Sequence, residues 1–267
     1  MSYTVVLVGA GNMGGALLRG WISGGMNSSN IVVVDPVPPP EMSEYLKSNS
    51  IRHETSADGV GAPDVLILAI KPQLMDAVLP TLKSLVSEKT VAVSVAAGTT
   101  ISTITSYLEG VAVVRTIPNT PSLVGRGITV ATSSENVTDN QKENVGTLLT
   151  ATGKLEWVDS ENLIDSATAV SGSGPAYVFH LAECLAKAGE AVGLSPQLAM
   201  TLARETVAGA GELLYLSDND PATLRKNVTS PGGTTAAALE VLMAEDAMPA
   251  IFEKAVVAAR DRAEELS

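Results

Sequence analysis

Two short stretches bring polar side chains and bare backbone together. Residues 227–235, Asn-Val-Thr-Ser-Pro-Gly-Gly-Thr-Thr, set hydroxyl and amide groups around a Pro-Gly-Gly turn, and an alanine-rich helical run follows at once. A helix start has free backbone N–H groups and the positive end of the helix dipole, so it holds small anions. Glycines at 232 and 233 remove the side chains that would keep a small carboxylate away from those amides. The same residues also suit a plain N-cap and tight turn. The second stretch is Gly9-Ala10-Gly11-Asn12-Met13-Gly14. It follows an apolar run and opens a helix. In that context G-x-G-x-x-G makes a tight turn, approaches a pyrophosphate and packs helix against strand.

Asp35 closes the second apolar run, 21 residues after Gly14. An acid there accepts hydrogen bonds from both adenosine ribose hydroxyls and favours NAD over NADP. Pro36-Val37-Pro38-Pro39-Pro40 offers no cation for a 2′-phosphate, and Lys47 and Arg52 would have to reach back. Charge therefore favours NADH. Ala69-Ile70-Lys71-Pro72 and Val95-Ala96-Ala97-Gly98 end two further runs, at the carboxyl edge where cofactors lie in open α/β sheets. Lys71 is the cation of that edge, either a contact to ribose or substrate or a plain surface lysine. Arg115, ending another run, either steers an anionic substrate or pairs at the surface.

The elements that must hold these residues fall into two halves. Strands are predicted at 4–8, 31–34, 65–70, 91–95, 111–115, 128–131 and 154–157, alternating with amphipathic runs such as 13–24, 41–49, 73–86 and 139–149. Continuous apolar strands alternating with helices indicate a mostly parallel, doubly wound sheet covered on both faces. Short connections between the last three strands predict a mixed or antiparallel edge. From about residue 161 the strand signals stop, and helices are predicted at 161–170, 175–191, 196–216, 221–228, 234–243 and 249–264. Prolines 175, 196, 221 and 249 sit near helix starts, where a missing N–H costs nothing. The expected organisation is a Rossmann-type α/β dinucleotide domain over 1–160 and an all-helical domain over 161–267.

Composition narrows the function. The chain has 267 residues, 45% of them apolar but only 3% aromatic, so its core is built from Ala, Val, Leu and Ile. The formal charge of −12 divides into −5 over residues 1–161 and −7 over 162–267. Neither half has the basic footprint that nucleic acid requires. Cys184 is the single cysteine and lies in an apolar helical stretch, as a buried structural thiol would. His53 and His180 are too few and too isolated for a metal site and read as structural or surface residues. No run approaches the ~20 apolar residues of a membrane span, and the N-terminal run reads as a strand and not a signal peptide. The expectation is a soluble cytoplasmic protein. Small residues dominate the helical half, which with so few aromatics buries modest area alone and predicts a homodimer interface there.

Assembled, these segments resemble pyrroline-5-carboxylate reductase, nearly end to end. The resemblance is carried by GAGNMG (9–14), AIKPQ (69–73), AAGTTIS (96–102), RTIPNTPSLVGRG (115–127), ENLIDSATAVSGSGPAY (161–177) and NVTSPGGTT (227–235). It implies hydride transfer from NAD(P)H to C5 of 1-pyrroline-5-carboxylate, and a dimer interlocked through the second domain, with further assembly into rings in some members. Position by position, it implies that Gly9, Gly11, Asn12 and Met13 hold the pyrophosphate, with Ala10 and Gly14 in the same loop. Asp35 and Ser56 match positions near the adenosine ribose. Ile70, Lys71 and Ala97, with Ala69, Pro72 and Ala96 beside them, match positions near the inner ribose and nicotinamide. Asn227 matches a cofactor contact, and Glu161, Thr234 and Thr235 match the substrate pocket. Asp35 is the departure, since many members that prefer NADPH have serine, arginine or another phosphate-tolerant residue there.

A cyclic imine is electrophilic at C5, more so once its nitrogen is protonated, so catalysis needs position more than a nucleophile. On this chemistry the amides of Gly233 and Thr234, with Ser230, hold the carboxylate, and the Thr235 hydroxyl orients the ring nitrogen. Ser171-Gly172-Ser173-Gly174-Pro175 either lets backbone approach the substrate or is a packing kink. Two other readings use the same fold. A β-hydroxy-acid dehydrogenase would place a lysine on the helix opening the second domain, and residues 161–179 contain none. A non-catalytic nucleotide sensor or scaffold would bind cofactor without turnover.

Overall fold

The structure, a computed structural model, describes residues 3–266. By compactness the chain forms two units, one of Met1–Gly172 with Ala259–Ser267 and one of Ser173–Ala258.

The first unit is built on one sheet of order β3-β2-β1-β4-β5-β6-β7-β8. Its strands are β1 Val5–Val8, β2 Ile31–Val34, β3 Arg52–Glu54, β4 Val65–Leu68, β5 Val91–Ser94, β6 Ala112–Ile117, β7 Gly127–Ser133 and β8 Gly153–Trp157. Neighbours run parallel except β6 and β7, where Thr116 faces Ala131 in an antiparallel pair. Helices α1 Asn12–Ser23, α2 Pro40–Ser48, α3 Met75–Val78, α4 Ile101–Tyr107 and α5 Asp139–Thr150 connect the strands, and α6 Asn162–Ala167 follows them. Strand order reverses between β1 and β4, which makes that edge the switch point where open α/β sheets take ligands.

Alternation along β1 feeds two cores. Val5 and Leu7 join Leu17, Leu18, Trp21 and Leu148 on one face, while Val6 and Val8 join Leu66, Leu68, Leu79, Leu82 and Ile104 on the other. Each side chain of this kind contributes roughly 1.5–3 kcal/mol on burial. The Trp21 Nε1–H donates to the Leu148 carbonyl at 2.9 Å, which joins α1 to α5 and satisfies the buried indole.

Three local features differ from the sequence expectations. Strand β3 has no apolar pattern, because Arg52-His53-Glu54 forms a charged edge strand that pairs, among the described residues, with β2 alone. The helix expected over 73–86 is broken into 3₁₀ turns at Pro72–Leu74 and Leu79–Leu85 around the four-residue α3. Pro80 explains this, since it lacks an N–H and its ring crowds the carbonyl one turn back. The run expected at 161–170 is α6 followed by a π-helical turn at Thr168–Gly172. Because α6 packs on β6 and β7, it lies within the sheet unit, and the compact units part at Gly172.

In the second unit α7 Gly174–Ala191, α8 Pro196–Leu216, α9 Pro221–Asn227, α10 Thr234–Leu242 and α11 Met248–Leu266 follow in turn, the last residues of α11 counting with the first unit. Ala186, Ala199 and Ala203 are the buried side chains among the described residues of this unit. Gly189 lets α7 and α8 close together, as a Cβ there would stand 3.1 Å from the Ala199 Cβ. Cys184 is exposed and not buried as expected, because α7 packs through the Ala186 and Gly189 side of the helix and leaves Cys184, Leu181 and Leu185 outside.

Candidate active site

The glycines of the first loop divide the work. Gly9 has φ +90° and a Cβ there would lie 2.5 Å from the Ala69 carbonyl oxygen, so the turn needs glycine. A Cβ on Gly14 would meet the Gly9 carbonyl, which lets α1 start hard against the loop. Around Gly11 there is open space, the room a pyrophosphate would occupy beside the free amides of α1. Among the described residues no side chain caps those amides. The residues present therefore fit a dinucleotide.

Beside this loop lies a cavity of about 680 Å³, lined among others by Gly9, Gly11, Asp35, Ser56, Ala69, Ile70 and Lys71. Its size suits a small-molecule or cofactor site. Strand β4 stops at Leu68, two residues earlier than expected, and so releases Ala69-Ile70-Lys71 to form a wall. Ala10, Gly11 and Asn12 line a second cavity of about 280 Å³ along α1. Pro72, Ala96, Ala97, Met13 and Gly14 line neither.

Asp35 is locked in place. Its Oδ2 accepts the Ala10 N–H at 2.7 Å and its Oδ1 the Val37 N–H at 2.9 Å. Each carboxylate oxygen keeps a further lone pair for a ribose hydroxyl. The His53 ring lies 2.8 Å from the Asp35 carbonyl and steadies the same turn, a structural role. Arg52, one of the two cations that would have had to reach back, is paired with Glu54 at 2.8 Å.

Arg115 departs from both sequence readings, for it neither faces solvent nor ends its strand. It is 2% exposed within β6. Its Nη1 donates to Glu161 at 3.0 Å and its Nη2 to Asp165 at 2.9 Å, which ties the start of α6 to the sheet. The same Glu161 oxygen accepts the Ile101 N–H at 2.9 Å, at the start of α4. Glu161 is thus held, not freely solvated. Asn119 supplies a link that was not foreseen. Its amide donates to the Ser171 carbonyl at 3.1 Å, within the π-helical turn, and its Oδ1 accepts the Ile128 N–H at 3.0 Å.

In the second unit the Ser-Pro-Gly-Gly sequence makes a tight turn. The Gly233 N–H donates to the Ser230 carbonyl at 3.0 Å, and Gly232 takes φ +66°, a value suited to glycine after proline. The Gly233 amide, expected among the carboxylate donors, is the one that closes this turn. The open amides begin at Thr234. Among the described residues no side chain caps α10, and the N–H groups of its first turn have no acceptor within the helix. Asn227 ends α9 with an exposed side chain.

Residues 161–266 match the family described as pyrroline-5-carboxylate reductase dimerisation, and residues 4–98 the family described as NADP oxidoreductase coenzyme F420-dependent. The pyrroline-5-carboxylate reductase of Pseudomonas aeruginosa is 37% identical over 264 residues, covering 98% of this chain and 96% of that one. A solved pyrroline-5-carboxylate reductase from Coxiella burnetii has a TM-score of 0.93 at 33% identity, covering 100% of this chain and 99% of the other. The Plasmodium falciparum pyrroline carboxylate reductase, solved with NADP bound, has a TM-score of 0.81 at 28% identity, covering 99% and 98%. With identity at this level from end to end, the chain belongs to the pyrroline-5-carboxylate reductase family.

Proposed function

We propose that this protein reduces 1-pyrroline-5-carboxylate to L-proline with a nicotinamide cofactor, preferring NADH, as a cytoplasmic homodimer joined through the helices of its second unit. The observation that carries the chemistry is the uncapped start of α10 behind the Ser230–Gly233 turn.

The amides of Thr234 and Thr235 bind the substrate carboxylate, aided by the helix dipole and by the Ser230 hydroxyl. The Thr235 hydroxyl orients the ring nitrogen. A threonine hydroxyl is a poor proton source, so the nitrogen's proton arrives with the substrate or through water. Bound NAD(P)H supplies the hydride to C5. Asp35 accepts from the adenosine ribose, Gly11 and Asn12 hold the pyrophosphate, and Asn227 touches the cofactor. Glu161, fixed by Arg115, belongs to the substrate pocket.

The preference for NADH rests on Asp35, whose fixed carboxylate repels a 2′-phosphate. Initial rates with NADH and NADPH, measured side by side on pyrroline-5-carboxylate, test both parts. Faster turnover with NADH is expected. No turnover with either cofactor defeats the reductase assignment, and faster turnover with NADPH defeats the Asp35 argument alone.

A further inference from the structure

Ser56 and Asp58 follow the edge strand β3 and line the same cavity as Asp35. The Ser56 hydroxyl donates to Asp58 Oδ2 at 3.1 Å, and its oxygen accepts the Asp58 N–H at 3.3 Å. A hydroxyl has one proton and two lone pairs. The proton is committed to the Asp58 carboxylate and one lone pair to its amide, so Ser56 has only an acceptor left to offer. Asp35 is in the same condition, with a backbone N–H on each oxygen and only lone pairs to spare. These three residues therefore form a surface of acceptors carrying two negative charges.

A ribose 2′-hydroxyl can donate to such a surface. A 2′-phosphate, close to doubly ionised at neutral pH, brings acceptors alone. The nearby Arg52 is paired with Glu54. Lys71 follows β4, two strands from β2 and so about 10 Å away by strand spacing. We infer that Asp58 is a second determinant of cofactor choice, acting through Ser56 to turn its hydroxyl into an acceptor and so select a free 2′-hydroxyl over a 2′-phosphate. This deepens the reading of the cavity as the nucleotide site and depends on it. Removing Asp58 frees the Ser56 proton to donate to phosphate and takes away one charge, while Asp35 stays in place.

The test is calorimetric binding of NAD⁺ and NADP⁺ to the full-length protein without substrate, for the wild type, Asp58→Ala and the double variant Ser56→Ala/Asp58→Ala. In Asp58→Ala the ratio Kd(NADP⁺)/Kd(NAD⁺) should fall about tenfold, the scale of one lost repulsion plus one gained donor. The double variant should keep less than half of that fall. Added salt should lower the wild-type ratio more steeply than that of Asp58→Ala, since the repulsion is screened. A ratio unchanged within about twofold in Asp58→Ala overturns the inference. So does a double variant that keeps the whole fall, because Ser56 is then not the intermediary. Tighter wild-type binding of NADP⁺ defeats the Asp35 reading alone, since Asp58 is judged by the change from wild type. Failure of the wild type to bind either nucleotide defeats both.

Discussion

The sheet unit covers both faces of β1 with Val, Leu and Trp side chains, whereas the helical unit buries three alanines and leaves Leu198, Leu202, Leu213 and Leu216 exposed. Leu198, Leu202 and Leu213 recur at helical spacing along one side of α8, so the exposure forms a stripe. A unit with so little core of its own is stabilised weakly by burial, and large apolar side chains exposed along one side of a helix mark an interaction surface. The difference shows in the chemistry as well. The cavity beside Asp35 is framed by strand ends inside a filled core, while the Ser230–Gly233 turn stands on helices whose large apolar side chains face outward.

The sharpest way to break this contrast is to charge the stripe. Leu202→Glu/Leu213→Glu removes about 1.5–3 kcal/mol of apolar burial per site and adds charge desolvation. Sedimentation should show single chains, turnover should be lost, and NAD⁺ binding should persist. An intact oligomer would show that the stripe is not the interface. Next in size is Thr235→Ala, expected to lower kcat/KM by about 10²-fold with nucleotide affinity unchanged. Full retained activity would remove Thr235 from the mechanism. Within the sheet unit, Gly14→Ala forces a Cβ onto the Gly9 carbonyl. It should cost about 1–3 kcal/mol in denaturant unfolding while leaving the helical contacts alone.

The smallest effect concerns the helix leading to Asn227. Asp220 caps α9 through the N–H of Thr223 and then its hydroxyl, each at 2.9 Å, and these bonds hold its carboxyl below the ordinary range. A lowered folded pKa means the cap stabilises above the usual carboxylate range and is lost as pH falls through the depressed value. Asp220→Ala should therefore lower Tm slightly at neutral pH and make no difference in strong acid. A gap between the two melting curves that persists in acid would refute this.

Much of this molecule could be read before its structure was known, and what escaped has physical reasons. Strands buried on both faces, such as Val65–Leu68, read as unbroken apolar runs, and the glycines of 9–14 carry their own context. Strand β3 escaped because an edge strand is covered by charge, not by apolar alternation. Pro80 was visible, yet its power to divide 73–86 was outweighed by the apolar period around it. Arg115, Glu161 and Asp165 lie 46 and 50 residues apart along the chain, and no local pattern announces such a pairing. How the Gly233 amide is used depends on whether the turn closes, a question of dihedral angles that no residue pattern announces. Asp58 had a signal, Ser-x-Asp directly after a strand, but only once β3 is recognised does it fall beside the cavity.

The central claim is hydride delivery to C5 of a carboxylate-anchored imine. Incubating the protein with pyrroline-5-carboxylate and NADH doubly deuterated at C4, then weighing the product by mass spectrometry, tests it directly. Proline carrying one deuterium at C5 for each NADH oxidised is the predicted result. Tight nucleotide binding without labelled proline would contradict it and leave the sensor reading in its place.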